Sequence, residues 1–250
     1  MVIYRGLYKK GSKDTYKISR SGIESYIGCK RCFYLDKRLG LSPAGGPAFT
    51  LNVAVDHLLK KEFDIHRAKN RQHPLMKKYG IDAIPFSHEK MDEWRSNFKG
   101  VQFLHEKTNL YVFGAVDDIW VNPQGELIVV DYKATSKKGE ITLEGSGWED
   151  SYKRQMEVYQ WLLKMNGFKV SKTGYFVYCN GKKDVEAFDG KLEFDIQVIP
   201  YKGENYLWIE DALVDIVKIL NSNKIPAYSD DCEDCDYQKG IISLLAKPKK

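Results

Sequence analysis

Apolar residues recur at helical spacing over residues 50–66, where Leu51, Val55, Leu58, Leu59 and Phe63 make one stripe. The same period returns over 148–165, ending near Gly167, and again in Ile209, Leu213, Ile216, Val217 and Leu220. Between these lie stretches of strand character, at 110–120, 127–133, 173–179 and 192–201. The first two are joined by Asn122-Pro123-Gln124-Gly125, a strong turn signal, so an antiparallel hairpin is expected there. Residues 72–97, interrupted by Pro74 and Pro85, read as short helices and loops and suggest no chemistry. Strands bracketed by helices imply an α/β fold with a mixed central sheet covered by helices.

A chain of 250 residues, 43% hydrophobic, can bury one sizeable core, so we expect one main domain with an attached subdomain. No run approaches the roughly 18 apolar residues of a membrane span, and the first residues lack the apolar core of a signal peptide. The expectation is a soluble, cytoplasmic protein with no membrane partner. Net charge is +5, from 39 basic and 34 acidic residues, a balance that permits a polyanionic partner and equally fits a solvated mixed-charge surface. Residues 246–250 form a basic tail expected to be flexible. Four of the five cysteines fall into two C-x-x-C pairs, Cys29 with Cys32 and Cys232 with Cys235, a spacing that favours metal over disulfide in a cytosolic chain. Cys179, inside an apolar run, reads as a packing residue.

The apolar run Leu127-Ile128-Val129-Val130 stops abruptly at Asp131-Tyr132-Lys133. Side chains two apart on a strand share a face, so Asp131 and Lys133 point one way and Tyr132 the other. If the turn takes five residues, 122–126, Asp117 falls opposite Asp131 and two carboxylates share a face beside a lysine. Such a group suits Mg²⁺ or Mn²⁺, which could polarise a phosphate and activate water while Lys133 orients the water or stabilises developing charge. A salt bridge at a strand end would leave the same trace. His57 lies off the helical stripe and reads either as a surface residue or as one free to face a cleft. Gln155 and Tyr159 share a helix face with Tyr152, Met156 and Leu162, either a core stripe with one tolerated amide or a polar pair facing a site.

The ordered set His57, Gly114-x-x-Asp117, Asp131-x-Lys133 and Gln155-x-x-x-Tyr159 resembles the RecB-like branch of the PD-(D/E)XK nucleases over nearly the whole chain. The resemblance implies a restriction-endonuclease-like core, with residues 1–250 one nuclease-like domain. It further implies that His57, Asp117 and Asp131 hold the catalytic metal, that Lys133 is the catalytic lysine, and that Gln155 and Tyr159 contact the active site or nucleic-acid backbone. Asp118 is the second-choice ligand, and Arg31, Lys153 and Arg154 are candidate phosphate contacts.

The cysteine pairs are similar to those of iron-sulfur members of that branch, the CRISPR-adaptation exonucleases and AddB-type nuclease domains. Those supply one early cysteine and three late ones, whereas this chain divides them two and two. Four thiolates accept either a 4Fe-4S cluster, toward which the family leans and which is the expectation here, or, as the alternative, a structural Zn²⁺, toward which the two-plus-two pairing leans. Residues 21–40 and 225–240 would then form a Cys metal-binding subdomain joining the termini. The implied activity is hydrolysis of DNA phosphodiesters, on single strands or ends, in a role such as DNA repair. Competing readings are a non-catalytic nucleic-acid-binding module with a structural metal and a zinc-stapled protein-interaction domain.

Overall fold

The computed structural model describes residues 6–43, 45–46, 49–145, 147–203 and 206–246. In chain order the elements begin β1 (Tyr16–Ser19), α1 (Arg20–Gly28), α2 (Lys30–Leu39), α3 (Thr50–Ala68), α4 (Pro74–Lys78), β2 (Ile84–Pro85) and α5 (Met91–Trp94). They continue β3 (Val101–His105), β4 (Leu110–Gly114), β5 (Asp118–Val121), β6 (Leu127–Thr135), α6 (Trp148–Met165), β7 (Thr173–Gly181), β8 (Phe194–Lys202), α7 (Leu207–Leu220) and α8 (Glu233–Leu245). The fold is α/β, as expected. Helix α8 was not expected, and the basic tail 247–250 lies outside the described residues. No helix among the described residues is long and apolar enough to cross a membrane.

The chain divides into two compact units. One comprises the chain up to Gly46, Leu104–Val112 and the chain from Leu207 onward; in it α1 and α2 pack on α7, and α2 also meets α8. The other holds the remaining residues and is built on a mixed five-stranded sheet in the order β2-β5-β6-β7-β8. A separate three-stranded sheet runs β1-β4-β3.

In the five-stranded sheet β5 and β6 are antiparallel, β6 and β7 parallel, and β7 and β8 antiparallel. A parallel step needs a long crossover, which α6 supplies. Ile128, Val130 and Tyr132 of β6 point to one face, where they pack with Leu59 and Phe63 of α3, Met76, Trp120, Val177 and Cys179. Cys179 is therefore a packing residue. Val129, Asp131 and Lys133 point to the opposite face, toward α6, whose Met156, Tyr159, Leu162 and Leu163 are buried.

Two expectations need correction. The strand expected at 110–120 is two strands in different sheets, because the chain turns away at Ala115–Asp117, where Val116 N–H bonds to Trp94 O at 3.1 Å. The apolar stripe of α3 is narrower than its composition suggested: Leu51 is 57% and Leu58 63% exposed, and only Leu59 and Phe63 are buried, with Val55 partly so. The helix touches the sheet along the four-residue row 55–59–63, while Leu51 and Leu58 face outward.

Gly114 marks the end of β4 for a steric reason. A Cβ there would lie 2.6 Å from Tyr159 Cε1 and 3.3 Å from Leu162 Cδ1, so the backbone sits against α6 where no side chain fits. Gly114→Ala should therefore lower stability by about 1–3 kcal/mol, the usual cost of overpacking. A fall in the urea midpoint at unchanged slope would show it; an unchanged midpoint would mean that Tyr159 moves freely.

Candidate active site

The turn after β5 is pinned by Asn122, whose Oδ1 accepts from Gln124 N at 3.1 Å and Glu126 N at 2.9 Å. It takes five residues, so Val121 pairs with Leu127 and Asp118 with Val130. Pairing of β5 with β6 ends there, and Asp117 stands at the next register position, opposite Asp131. Its Oδ2 accepts the Tyr132 N–H at 2.8 Å. From Asp131 onward β6 is free of β5, and side chains from α3 and α6 enter the gap.

Asp131 is fully buried and ion-paired with Lys133. Lys133 also donates to Gln155 Oε1 at 3.1 Å and lies 4.3 Å from the Tyr152 ring centre. Gln155 in turn donates from Nε2 to Tyr159 OH at 3.0 Å, which fixes its amide so that the oxygen faces the lysine. Burial pulls the Lys133 pKa down, but Asp131 and Asp117 outweigh it and hold the ammonium above its ordinary value. Lys133 is thus a permanent positive charge beside a buried negative one.

From α3 comes a polar row at four-residue spacing, Asn52, Asp56 and Lys60. Asn52 donates to Ala134 O at 3.4 Å, and Lys60 Nζ is 2.7 Å from Asp56 Oδ2 and 3.6 Å from Asp117 Oδ1. Asp56 Oδ1 is buried and accepts no hydrogen bond among the described residues. Burial, then the charge of Asp117, raise the Asp56 pKa against the pull of Lys60. A pocket of about 110 Å³ is lined by Asn52, Val55, Asp56, Tyr132, Lys133, Ala134 and Tyr152.

The structure therefore brings together Asp117, Asp131, Lys133, Gln155 and Tyr159. It does not bring His57 to them: His57 is exposed, one residue around α3 from Asp56. Asp56 was missed in the sequence, although its place in the polar row Asn52-Asp56-Lys60 was a readable signal. Asp118, considered as a spare ligand, is committed elsewhere. Its Oδ1 accepts from Arg67 Nη2 at 2.5 Å, Arg95 Nη2 at 2.9 Å and its own neighbour's Ile119 N–H at 2.8 Å, and its Oδ2 from Tyr132 OH at 2.8 Å. Both guanidinium groups also bond Asp64 at 3.0 Å. Of the candidate phosphate contacts, Lys153 pairs with Asp150 at 3.0 Å, and Arg31 stacks on Tyr228 at 3.8 Å while donating to Pro226 O.

A model of the PD-(D/E)XK nuclease superfamily matches residues 50–239, from the first residue of α3 into α8. The chain belongs to the PD-(D/E)XK nuclease superfamily. No curated protein matches it in sequence. Membership in the PD-(D/E)XK superfamily implies a nuclease, with a nucleic-acid substrate and divalent metal chemistry.

In the other unit of this PD-(D/E)XK protein the four paired cysteines converge, with all their sulfurs within 4.8 Å of one another. Among the described residues this is the one set of three or more His, Cys, Asp or Glu side chains placed to share an ion. The two pairs are built alike. Cys29 is the N-cap of α2, where its sulfur accepts the Cys32 N–H, and Cys232 is that of α8, so the second cysteine of each pair falls in the first helical turn. Sulfur separations are 3.6 Å for Cys29–Cys235, 3.7 Å for Cys32–Cys232 and 3.9 Å for Cys32–Cys235. Burial resists ionisation of Cys29, but the Cys32 N–H and neighbouring thiols hold its pKa below the ordinary value. Burial, then hydrogen bonding with Cys29, push Cys32 up.

The Asp118 cluster is the part of the site most sensitive to a single change. Removing one partner of a buried charge group leaves the others uncompensated, at about 3–5 kcal/mol. Asp118→Ala should therefore destabilise the protein by about 3–5 kcal/mol, measurable by chemical denaturation, whereas loss of less than ~1 kcal/mol, as at an exposed pair, would mean that Asp64 alone balances both arginines.

Proposed function

We propose that this chain is a divalent-metal-dependent deoxyribonuclease of the RecB-like branch, acting on single-stranded DNA or DNA ends. The observation that carries the reading is the fully buried Asp131 carboxylate, with Asp117 at the facing register position and Lys133 locked to it on the same strand. Carboxylate oxygens are the donors that Mg²⁺ and Mn²⁺ prefer, and the open Asp56 Oδ1 supplies one that no protein hydrogen donor satisfies. The residues therefore suit such an ion, held by Asp117 and Asp131 with waters filling its other positions, and Asp56 would join once the carboxylates draw in around it, in the part first given to His57. When bound, the ion polarises the scissile phosphate and lowers the pKa of an attacking water.

The protein groups do the rest. Tyr132 N–H fixes Asp117, while Gln155 and Tyr159 hold Lys133 in place. Lys133, kept charged by Asp131 and Asp117, is suited to orient the water and stabilise the extra charge on phosphorus rather than to act as a base. A preference for single strands is supported by Trp148, 76% exposed and one helical turn ahead of the pocket residue Tyr152. An exposed indole there offers a face on which an unpaired base can stack.

End-labelled single- and double-stranded DNA, incubated with Mg²⁺, Mn²⁺ or chelator, tests this. Cleavage should need the metal and fall at least ~100-fold in Asp131→Ala and Lys133→Ala. Asp56→Ala should lower it sharply, and His57→Ala should leave it near wild type. Cleavage indifferent to Asp131→Ala would defeat the assignment, and salt-sensitive binding without cutting would favour a non-catalytic nucleic-acid module.

For the cysteine centre we propose one structural Zn²⁺ in preference to the 4Fe-4S cluster. Four sulfurs at ~2.3 Å from one tetrahedral ion are about 3.8 Å apart, which matches the three separations of 3.6–3.9 Å, and every pair of sulfurs lies within 4.8 Å. A four-iron cube needs its thiolates farther apart. Metal analysis of anaerobically prepared protein should find one zinc per chain in a colourless sample; a brown sample with four irons per chain would reverse the choice.

A further inference from the structure

Lys60 has no part in the mechanism above, yet it occupies the most charged position in the site. It reaches in from α3 with a side chain only 19% exposed and sets its ammonium between Asp56 Oδ2 at 2.7 Å and Asp117 Oδ1 at 3.6 Å. Those two carboxylates are like charges that face the same ammonium. An ordinary exposed helix pair would stop at the four-residue partner, Asp56. Here the ammonium also spans to a different element and to a carboxylate already fixed from behind by Tyr132 N–H. A group that neutralises two facing carboxylates from within the protein stands where a cation would otherwise sit.

We propose that Lys60 is a resident counter-cation that fills the second cation position of the site, so that the enzyme binds a single divalent ion. The proposal rests on the nuclease reading above. Charge balance supports it. Asp56, Asp117 and Asp131 against Lys60 and Lys133 leave one net negative charge; one divalent ion makes it one positive, which a phosphodiester neutralises. A second divalent ion would leave two positive charges even with substrate bound, a costly excess in a buried site. The vacant oxygens agree, since Asp56 Oδ1 is open while Asp56 Oδ2 and Asp117 Oδ1 face Lys60. Lys60 thus acts as a positioning residue, holding Asp56 and Asp117 at fixed separation before the ion arrives.

Counting Mn²⁺ bound to the full-length protein, by calorimetry together with paramagnetic resonance, tests this without relying on activity. Wild type should bind one Mn²⁺ that Asp131→Asn abolishes. Lys60→Met, which keeps the stem and removes the charge, should bind two, with the spectrum of a coupled pair, and Lys60→Arg should bind one. A count that stays at one in Lys60→Met, at whatever affinity, overturns the proposal while leaving the nuclease reading intact. Should wild type bind no Mn²⁺ sensitive to Asp131→Asn, the reading itself fails and takes the proposal with it. Urea midpoints for both Lys60 variants establish that they fold, and Lys60→Arg behaving like Lys60→Met would also overturn the role of charge.

Discussion

The site depends on one buried charge. Asp118 has no access to water, and both its oxygens are filled by Arg67, Arg95, Tyr132 and the backbone of β5. A carboxylate in that position is tolerable only because two guanidinium groups, themselves anchored on Asp64, surround it. The arrangement ties α3, the segment after α5, β5 and β6 at a single point. Asp117 is the next residue back along the chain, and Tyr132 lies between Asp131 and Lys133. Charges buried for the sake of architecture thus set the positions of charges left available for chemistry.

The two carboxylates of the hairpin have opposite surroundings. Asp131 is sealed in and matched by Lys133, whereas Asp117 is held by one N–H and otherwise turns toward Asp56 and Lys60. Like charges gathered this closely cost free energy unless cations join them; Lys60 and Lys133 offset two of the three, and the charge that remains suits a divalent ion. The cysteine centre solves the same problem with soft ligands. Each pair opens a helix, the Cys32 N–H favours the Cys29 thiolate, and three of the sulfur separations match a single ion.

What could be read from the sequence was local. The Asn122 turn and strand periodicity placed Asp117 opposite Asp131, because register follows from turn length and a two-residue period. Helix α6 and its Gln155-Tyr159 pair were equally legible, as were both cysteine pairs. The face that α3 turns to the sheet was not: Leu51 and Leu58 have the right character, yet packing selected Leu59 and Phe63, which carried Asp56 inward and His57 outward. Nor was the break at Ala115–Asp117, since it answers to Trp94 O and the ring of Tyr159, both distant in sequence. Arg67 and Arg95 looked like any surface charges, because nothing local marks a charge whose buried partner, Asp118, lies 51 or 23 residues away.

The most direct test is a crystal structure of the Mn²⁺-loaded protein with anomalous scattering to locate the ion. The account predicts a peak in the gap beyond β5, bonded by Asp117 and Asp131 and reached by the free oxygen of Asp56, with Lys60 beside it. A peak bonded by His57 with Asp56 turned away, or no peak outside the cysteine centre, would contradict it.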